Sequence, residues 1–346
     1  MTTYRVAIAG ATGAVGVEFL RCLADRGFPI SSLRLLASAR SRGKKMPYAG
    51  RAIEVEELAE NSFTDIDIAF FSAGGSISRK FAPAAVRAGA VVVDNSSAFR
   101  MDPEVPLVIP EINPEAIATH QGIIANPNCS TIIGIVPLWP IHSRNRIRRV
   151  IAATYQAASG AGAAAMQELA DSTRAYLEGR PYEHTVLPHP YAFNLFCHNT
   201  RIDPATGYNE EETKMTRETQ KVFGDPAIRV SATCVRVPVL RAHSEALTIE
   251  CERPITPAEV RRILCEAPGV KIVDDPEKNY FPMPKDATGQ GEVLVGRIRQ
   301  DFSDPSGKSI SLFVAGDQLL KGAALNAVQI AEVMIERGWV KQQSCW

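Results

Sequence analysis

The chain has 346 residues, more than a single hydrophobic core usually organises, so two domains are the starting expectation. Its 45% hydrophobic and 22% charged residues are ordinary for a globular protein, and 38 Lys and Arg balance 38 Asp and Glu. That neutrality removes any long-range pull on polyanions, so nucleic acid is not an expected partner and a working basic residue must act locally on a small anion.

Met1 to Arg5 run straight into a strand-like segment, which leaves no room for a signal peptide. No apolar stretch approaches the roughly 18 residues that span a bilayer. Seven irregularly spaced cysteines point to a reducing compartment, and the cytoplasm is the expected location. An organelle protein stripped of its targeting segment would read the same way.

In chain order, Tyr4 to Ala9 is an apolar strand, GATGAVG a glycine turn, and VEFLRCLADRG a helix closed by Gly27. Leu33 to Ala37 and Ile66 to Phe71 are further strands, followed by a helix through Arg79 to Ala88 and the strand Val91 to Asp94. Strands so uniformly apolar are covered on both faces, which predicts a parallel, doubly wound α/β sheet. The texture changes near Asn126. Beyond Val150, stretches such as IRVSATCVRVPVL, SEALTIECER, EVLVGRIRQDF and SISLFVAG alternate, which predicts a mixed sheet with helices in a second domain. Lys321 to Gly338 reads as an amphipathic helix that packs back on the first domain. The division taken is 1–128 with 322–346 against 129–321.

Gly10, Gly13 and Gly16 form G-x-x-G-x-x-G between strand and helix. Glycines there permit a tight turn and close approach of a pyrophosphate to N–H groups at a helix start. The alternative is a glycine-rich turn with no ligand. The second strand ends in Ser38-Ala39-Arg40-Ser41, hydroxyls and a guanidinium without a carboxylate, which favours NADP over NAD. A solvated polar loop is the alternative.

Asn126-Pro127-Asn128-Cys129-Ser130-Thr131 precedes the apolar run IIGIVPLW. Turn residues followed by a helix start place Cys129 where N–H dipoles favour a thiolate. Cys22, Cys234, Cys251 and Cys265 read as buried structural residues. Arg236 and His243 lie seven apart in CVRVPVLRAHSEA, and His243 is expected to titrate near neutrality and serve as base and acid. A lone surface or core histidine is the alternative. His184, His189 and His198 lack metal-ligand spacing and read as structural, so no metal is expected.

GATGAVG, LASARS, FSAGGS, VVVDNSSAFR, NPNCST, TYQAASGAG, EETK, CVRVPV with AHSE, and GAALNAVQIAE occur in order over nearly the whole chain. Together they resemble the bacterial-type aspartate-semialdehyde dehydrogenases of the semialdehyde dehydrogenase family. The resemblance implies a Rossmann-like NADP-binding domain, an α+β catalytic and dimerisation domain, and a C-terminal helix returning to the first. It implies reversible NADPH-dependent reductive dephosphorylation of L-aspartyl 4-phosphate to L-aspartate 4-semialdehyde and phosphate. That reaction lies on the route to lysine, threonine, methionine and diaminopimelate.

Carried over by motif, Cys129 resembles the thioester nucleophile, His243 the acid/base, Gln156 the residue that orients substrate, and Asn128 an assistant beside the nucleophile. Arg236 resembles the clamp on the substrate carboxylate, Glu211 the partner of its ammonium, and Arg100 and Lys214 the phosphate ligands. If EETK is helical, Glu211 and Lys214 share one face. For the cofactor, Gly10, Thr12, Gly13, Ala14 and Val15 match the pyrophosphate turn, and Ser72 falls in FSAGGS. Ser38 and Arg40 match the 2′-phosphate region, and Ser159 with Gly160 the nicotinamide region. Gln318 stands where relatives often show Asn, with a longer side chain.

A homodimer is implied, with tetramers in related groups, and the fuller stretch FNLFCHNTRIDPATGYNEEETK hints at a different dimer-contact loop. An N-acetylglutamyl-phosphate reductase would share the fold and the thioester cysteine, but Glu211, NPNCST and VDNSSAFR argue against it. The joint presence of Cys129, Gln156, Arg236 and His243 argues against a silent binding paralogue.

Overall fold

The computed structural model describes residues 2–340. They divide into two compact units, residues up to 128 together with those from 323 onward, and 129–322. The first unit runs β1 (Tyr4–Ala9), α1 (Ala14–Asp25), β2 (Ile30–Ala37), β3 (Lys45–Tyr48), β4 (Arg51–Glu57), β5 (Ile68–Phe71), α2 (Gly75–Arg87), β6 (Val91–Asp94) and β7 (Ile123–Ala125). The second runs α3 (Cys129–Ile135), α4 (Trp139–His142), β8 (Ile147–Gln156), α5 (Ala163–Leu177), β9 (Phe196–Cys197), α6 (Glu210–Phe223), β10 (Arg229–Arg236) and β11 (His243–Cys251). It continues through α7 (Pro257–Cys265), β12 (Val270–Ile272), α8 (Pro284–Ala287), β13 (Val293–Gln300) and β14 (Ser309–Gly316), and α9 (Leu325–Glu336) then belongs to the first unit.

The doubly wound reading of the first unit holds. Its sheet has the order β3-β4-β2-β1-β5-β6-β7, parallel except at the β3–β4 edge. Val6 to Ala9 are fully buried because helices cover both faces. Phe70 packs tilted against Phe19 of α1 at 4.9 Å, while its neighbour Phe71 turns the opposite way and stacks on Phe63 at 5.5 Å. Each such ring contributes roughly 1.5–3 kcal/mol by leaving water.

One element was not foreseen and one expectation needs correction. The polar stretch after β2 is a hairpin, β3–β4, turned by Ala49 (φ 48°) and Gly50 (φ 77°), two left-handed residues that match the twist of a two-residue turn. Lys321 to Gly338 is not one amphipathic helix: a π-helical turn at Leu320–Ala324 precedes α9, and the first four residues of α9 are all buried.

The second unit's sheet is mixed, in the order β12-β13-β14-β11-β8-β10-β9. Alternation divides its central strands cleanly. Thr154 and Gln156 of β8, Cys234 and Arg236 of β10, and His243 and Glu245 of β11 point to the buried face. Register sets Arg236 opposite Gln156 and Glu245 opposite Thr154, so the polar residues form adjacent rows under α3 and α6.

Candidate active site

Gln156 and Ala157, where β8 ends, are the hub of the second unit's site. The Gln156 amide Nε2 donates to Ser130 Oγ, next to Cys129, and to Glu211 Oε1 at 3.1 Å. The Ala157 N–H donates to His243 Nδ1 at 3.0 Å, and its carbonyl accepts from Arg236 Nη1 at 3.2 Å. Lys214 reaches Glu211 Oε2 at 3.2 Å on the same face of α6, as the three-residue spacing predicts. Six of the residues picked from the sequence, Cys129, Gln156, Glu211, Lys214, Arg236 and His243, thus lie in one unit, with Glu211, Lys214, Arg236 and His243 gathered by hydrogen bonds around Gln156 and Ala157, and Ser130 beside Cys129 bonded to Gln156.

Glycine closes this arrangement. A Cβ on Gly160 would lie 2.9 Å from Arg236 Nη1 and 2.9 Å from both Cε1 and Nε2 of His243. The sequence motifs place Gly160 toward the nicotinamide, whereas its packing is against Arg236 and His243. On the other side, Gly322 lets Cys129 in, since a Cβ there would be 2.9 Å from the Cys129 Cβ.

His243 departs from the expectation that it titrates near neutrality. Burial, then the cation of Arg236, push its imidazole down to about 3. Because Nδ1 accepts the Ala157 N–H, the proton of the neutral ring sits on Nε2, which has no hydrogen-bond partner among the described residues. The histidine is therefore set as a donor from Nε2. The turn that delivers it is strained: Ala242 has φ 71°, a left-handed backbone costing about 1 kcal/mol or more for alanine. Gln318 holds that turn, accepting the Ala242 N–H at Oε1 (2.9 Å) and donating Nε2 to Ser159 Oγ. Both ends of this amide serve the protein, which sets Gln318 behind Ser159 and His243.

Beneath the site lies Glu245, fully buried, neither of whose oxygens has a hydrogen-bond partner among the described residues. Gly134 of α3 admits it, for a Cβ there would be 2.6 Å from Glu245 Oε2. Burial, then the charge of Glu211, raise its carboxyl well above 4.5. The folded chain thus keeps a proton that the unfolded chain sheds above that pH, so stability falls as pH rises from about 4.5 toward the folded value. Glu245→Gln is expected to gain melting temperature relative to the parent as pH rises above about 5. A difference independent of pH in calorimetry would show the carboxyl to be ionised.

In the first unit, an open cleft of about 570 Å³ is lined by Gly10, Thr12, Gly13, Ser38, Ser72 and Lys80, among others. Gly10 needs its left-handed φ of 90° to turn the chain there. Ala14 and Val15 begin α1, so their N–H groups head the helix at this cleft. Hydroxyls, a lysine and a helix start fit an anionic dinucleotide. Arg40 is exposed in the short turn Ala39–Ser41.

A carboxylate does border the cleft, from another strand than β2: Glu57 comes from β4, opposite Ala37 of β2. The exposed Arg42 guanidinium lies 4.0 Å from it. Lys80 and Glu57 were missed because neither stands in a glycine or β2 motif.

Arg100 is buried in the first unit, giving Nε to the Asn126 carbonyl at 2.9 Å and Nη2 to the Asn95 carbonyl at 3.0 Å. The segments around it are knit together by side-chain hydrogen bonds. Asp94 accepts from Ser78 and Ser96 hydroxyls at 2.7 Å, and Asn126 bonds both Asn95 (2.7 Å) and Asn326 of α9 (2.6 Å). Asn128 is buried directly before Cys129.

Among the other cysteines, burial pushes the thiols of Cys22 and Cys251 up to about 12 and that of Cys234 higher, as inert structural residues require. Cys265 is exposed, contrary to expectation, because it ends α7 on the solvent side. Among the described residues, no group of three or more His, Cys, Asp or Glu could hold a metal, and no helix is long and apolar enough to cross a membrane.

Comparison with known proteins agrees with the motifs. Residues 5–120 match the model of the semialdehyde dehydrogenase NAD binding domain, and 138–321 that of the semialdehyde dehydrogenase dimerisation domain. An aspartate-semialdehyde dehydrogenase of Synechocystis sp. is 56% identical over 336 residues, 97% of this chain and 98% of its own. One from Aquifex aeolicus is 50% identical over 343 residues, 97% and 99% of the two chains. The crystal structure of aspartate semialdehyde dehydrogenase II complexed with ASA from Vibrio cholerae superposes with a TM-score of 0.94 at 45% identity, over 97% of this chain and 99% of that one. The chain belongs to the semialdehyde dehydrogenase family, and within it to the aspartate-semialdehyde dehydrogenases.

Proposed function

We propose that Cys129 is the covalent nucleophile with which this chain performs its family's reaction, the reversible reductive dephosphorylation of L-aspartyl 4-phosphate to L-aspartate 4-semialdehyde and phosphate. The observation that carries the reading is the Gln156 amide, which joins the residue beside Cys129 to Glu211, one of the groups that would read the substrate's α-carbon. In the reductive direction the Cys129 thiolate attacks the acyl carbonyl, the C–O bond to phosphate breaks, and a thioester remains. The His243 Nε2–H donates to the oxygen on which negative charge gathers. When bound, the nicotinamide cofactor supplies the hydride that reduces the thioester.

The substrate's carboxylate falls to the Arg236 fork, its ammonium to Glu211, and the phosphate to Lys214 and Arg100, with Asn128 steadying the start of α3. The cofactor is NADP(H): the N–H groups at Gly10 to Val15 take the pyrophosphate, Ser38 and Arg40 the 2′-phosphate, and Ser72, Ser159 and Gly160 lie toward the nicotinamide, with Gln318 in support. The product feeds lysine, threonine, methionine and diaminopimelate synthesis in the cytoplasm. NADPH formation from L-aspartate 4-semialdehyde that requires phosphate tests the reading; formation at equal rates without phosphate, or preference for N-acetylglutamate semialdehyde, overturns it.

The protein is a homodimer in this reading. The sheet face opposite the site carries Ile151 and Tyr155, 46% and 37% exposed, beside Phe313 at 6.1 Å from the Tyr155 ring, in the part that matches a dimerisation domain. Light scattering is expected to show two chains, and Ile151→Glu to yield one; a monomeric parent would reject the assignment.

A further inference from the structure

Arg236 and Glu211 come from different elements, β10 and α6, yet a chain of hydrogen bonds that no motif marks runs between them. Arginine can only donate, so His198 Nε2, 2.8 Å from Arg236 Nη2, must be the acceptor. The proton of the neutral ring then sits on Nδ1, 3.2 Å from Thr200 Oγ1. That same oxygen accepts the backbone N–H of Glu211 at 3.3 Å. His198 is itself fastened at both backbone groups, its N–H to the Cys234 carbonyl at 2.8 Å and its carbonyl to Asn209 Nδ2 at 3.4 Å.

Without His198, Arg236 would keep, among the described residues, only the 3.2 Å bond from Nη1 to Ala157, because its Nε has no partner there. One point of attachment leaves a planar fork free to turn, whereas two fix its plane. Burial, then the cation of Arg236, push the His198 ring down to about 4, outweighing Glu211, with Lys214 adding to the effect, so it stays a neutral acceptor at working pH.

We propose that His198, acting through Thr200, is a positioning residue that fixes the plane of the Arg236 fork and ties it to the start of α6, which bears Glu211. The site then selects a 2-amino acid head as a unit. This rests on the assignment of Arg236 and Glu211 made under Proposed function.

The test compares L-aspartate 4-semialdehyde with 3-aminopropanal, which lacks only the α-carboxylate, in the parent, His198→Leu, His198→Gln and Arg236→Ala. His198→Leu is expected to raise KM for the semialdehyde by about tenfold or more, the worth of a hydrogen bond to a charged group. Its KM values for phosphate and NADP+ and its rates on 3-aminopropanal stay near the parent's. His198→Gln, whose Oε1 can still accept from Arg236, recovers most of the loss. A His198→Leu penalty equal on both substrates would make the residue merely structural, and no penalty would make it idle; either overturns the proposal. If Arg236→Ala leaves the preference between the two substrates unchanged, the assignment of Arg236 itself falls, which is separable from a failure of His198 alone.

Discussion

Cys129→Ala is expected to lower turnover by about 10⁴-fold or more while NADP+ affinity stays within about twofold. The change removes only Sγ. Alanine keeps the Cβ that packs against Gly322, so the start of α3 has no cause to move. The groups that would hold the cofactor's phosphates, from Gly10 to Val15, belong to the first unit and lose nothing. Steady-state rates with calorimetric titration of NADP+ would check both halves. A variant that retained a substantial rate would reject covalent catalysis, and one that lost the cofactor would mark Cys129 as structural.

Gly160→Ala is expected to cost about 10²-fold or more in kcat/KM for the semialdehyde, the scale of a 1 Å misplacement of catalytic groups. The added methyl would stand 2.9 Å from three atoms of Arg236 and His243. Neither can retreat easily. Arg236 is pinned by Ala157 and His198, and His243 by the Ala157 N–H behind it and the strained Ala242 before it. The loss should therefore fall on the semialdehyde, with the NADP+ KM nearly unchanged. A defect confined to the NADP+ KM would return Gly160 to a cofactor role alone.

The parallel strands and the setting of Cys129 were legible because they rest on local signals, apolar runs, glycine turns and a cysteine at a helix start, whereas Gln156 and the pairing of Arg236 with Glu211 came only from the family motifs. What escaped depends on register between distant segments. The β3–β4 hairpin is an edge with alternating charges, so its pattern resembles a polar loop until β4 is seen beside β2, carrying Glu57 to the cleft. His198 reads as an ordinary histidine, since its partner Arg236 is 38 positions away. The protonation of His243 was misjudged for a related reason. A sequence shows a histidine near an arginine but not that the ring is fully buried or which nitrogen faces a backbone N–H.

The most direct measurement is rapid-quench mass spectrometry of the protein mixed with L-aspartate 4-semialdehyde and NADP+ in the absence of phosphate. The account predicts a burst of NADPH close to one per active site, matched by an aspartyl adduct on the peptide bearing Cys129 that added phosphate discharges. A burst with no adduct, or an adduct on another residue that turns over at the same rate, would contradict it.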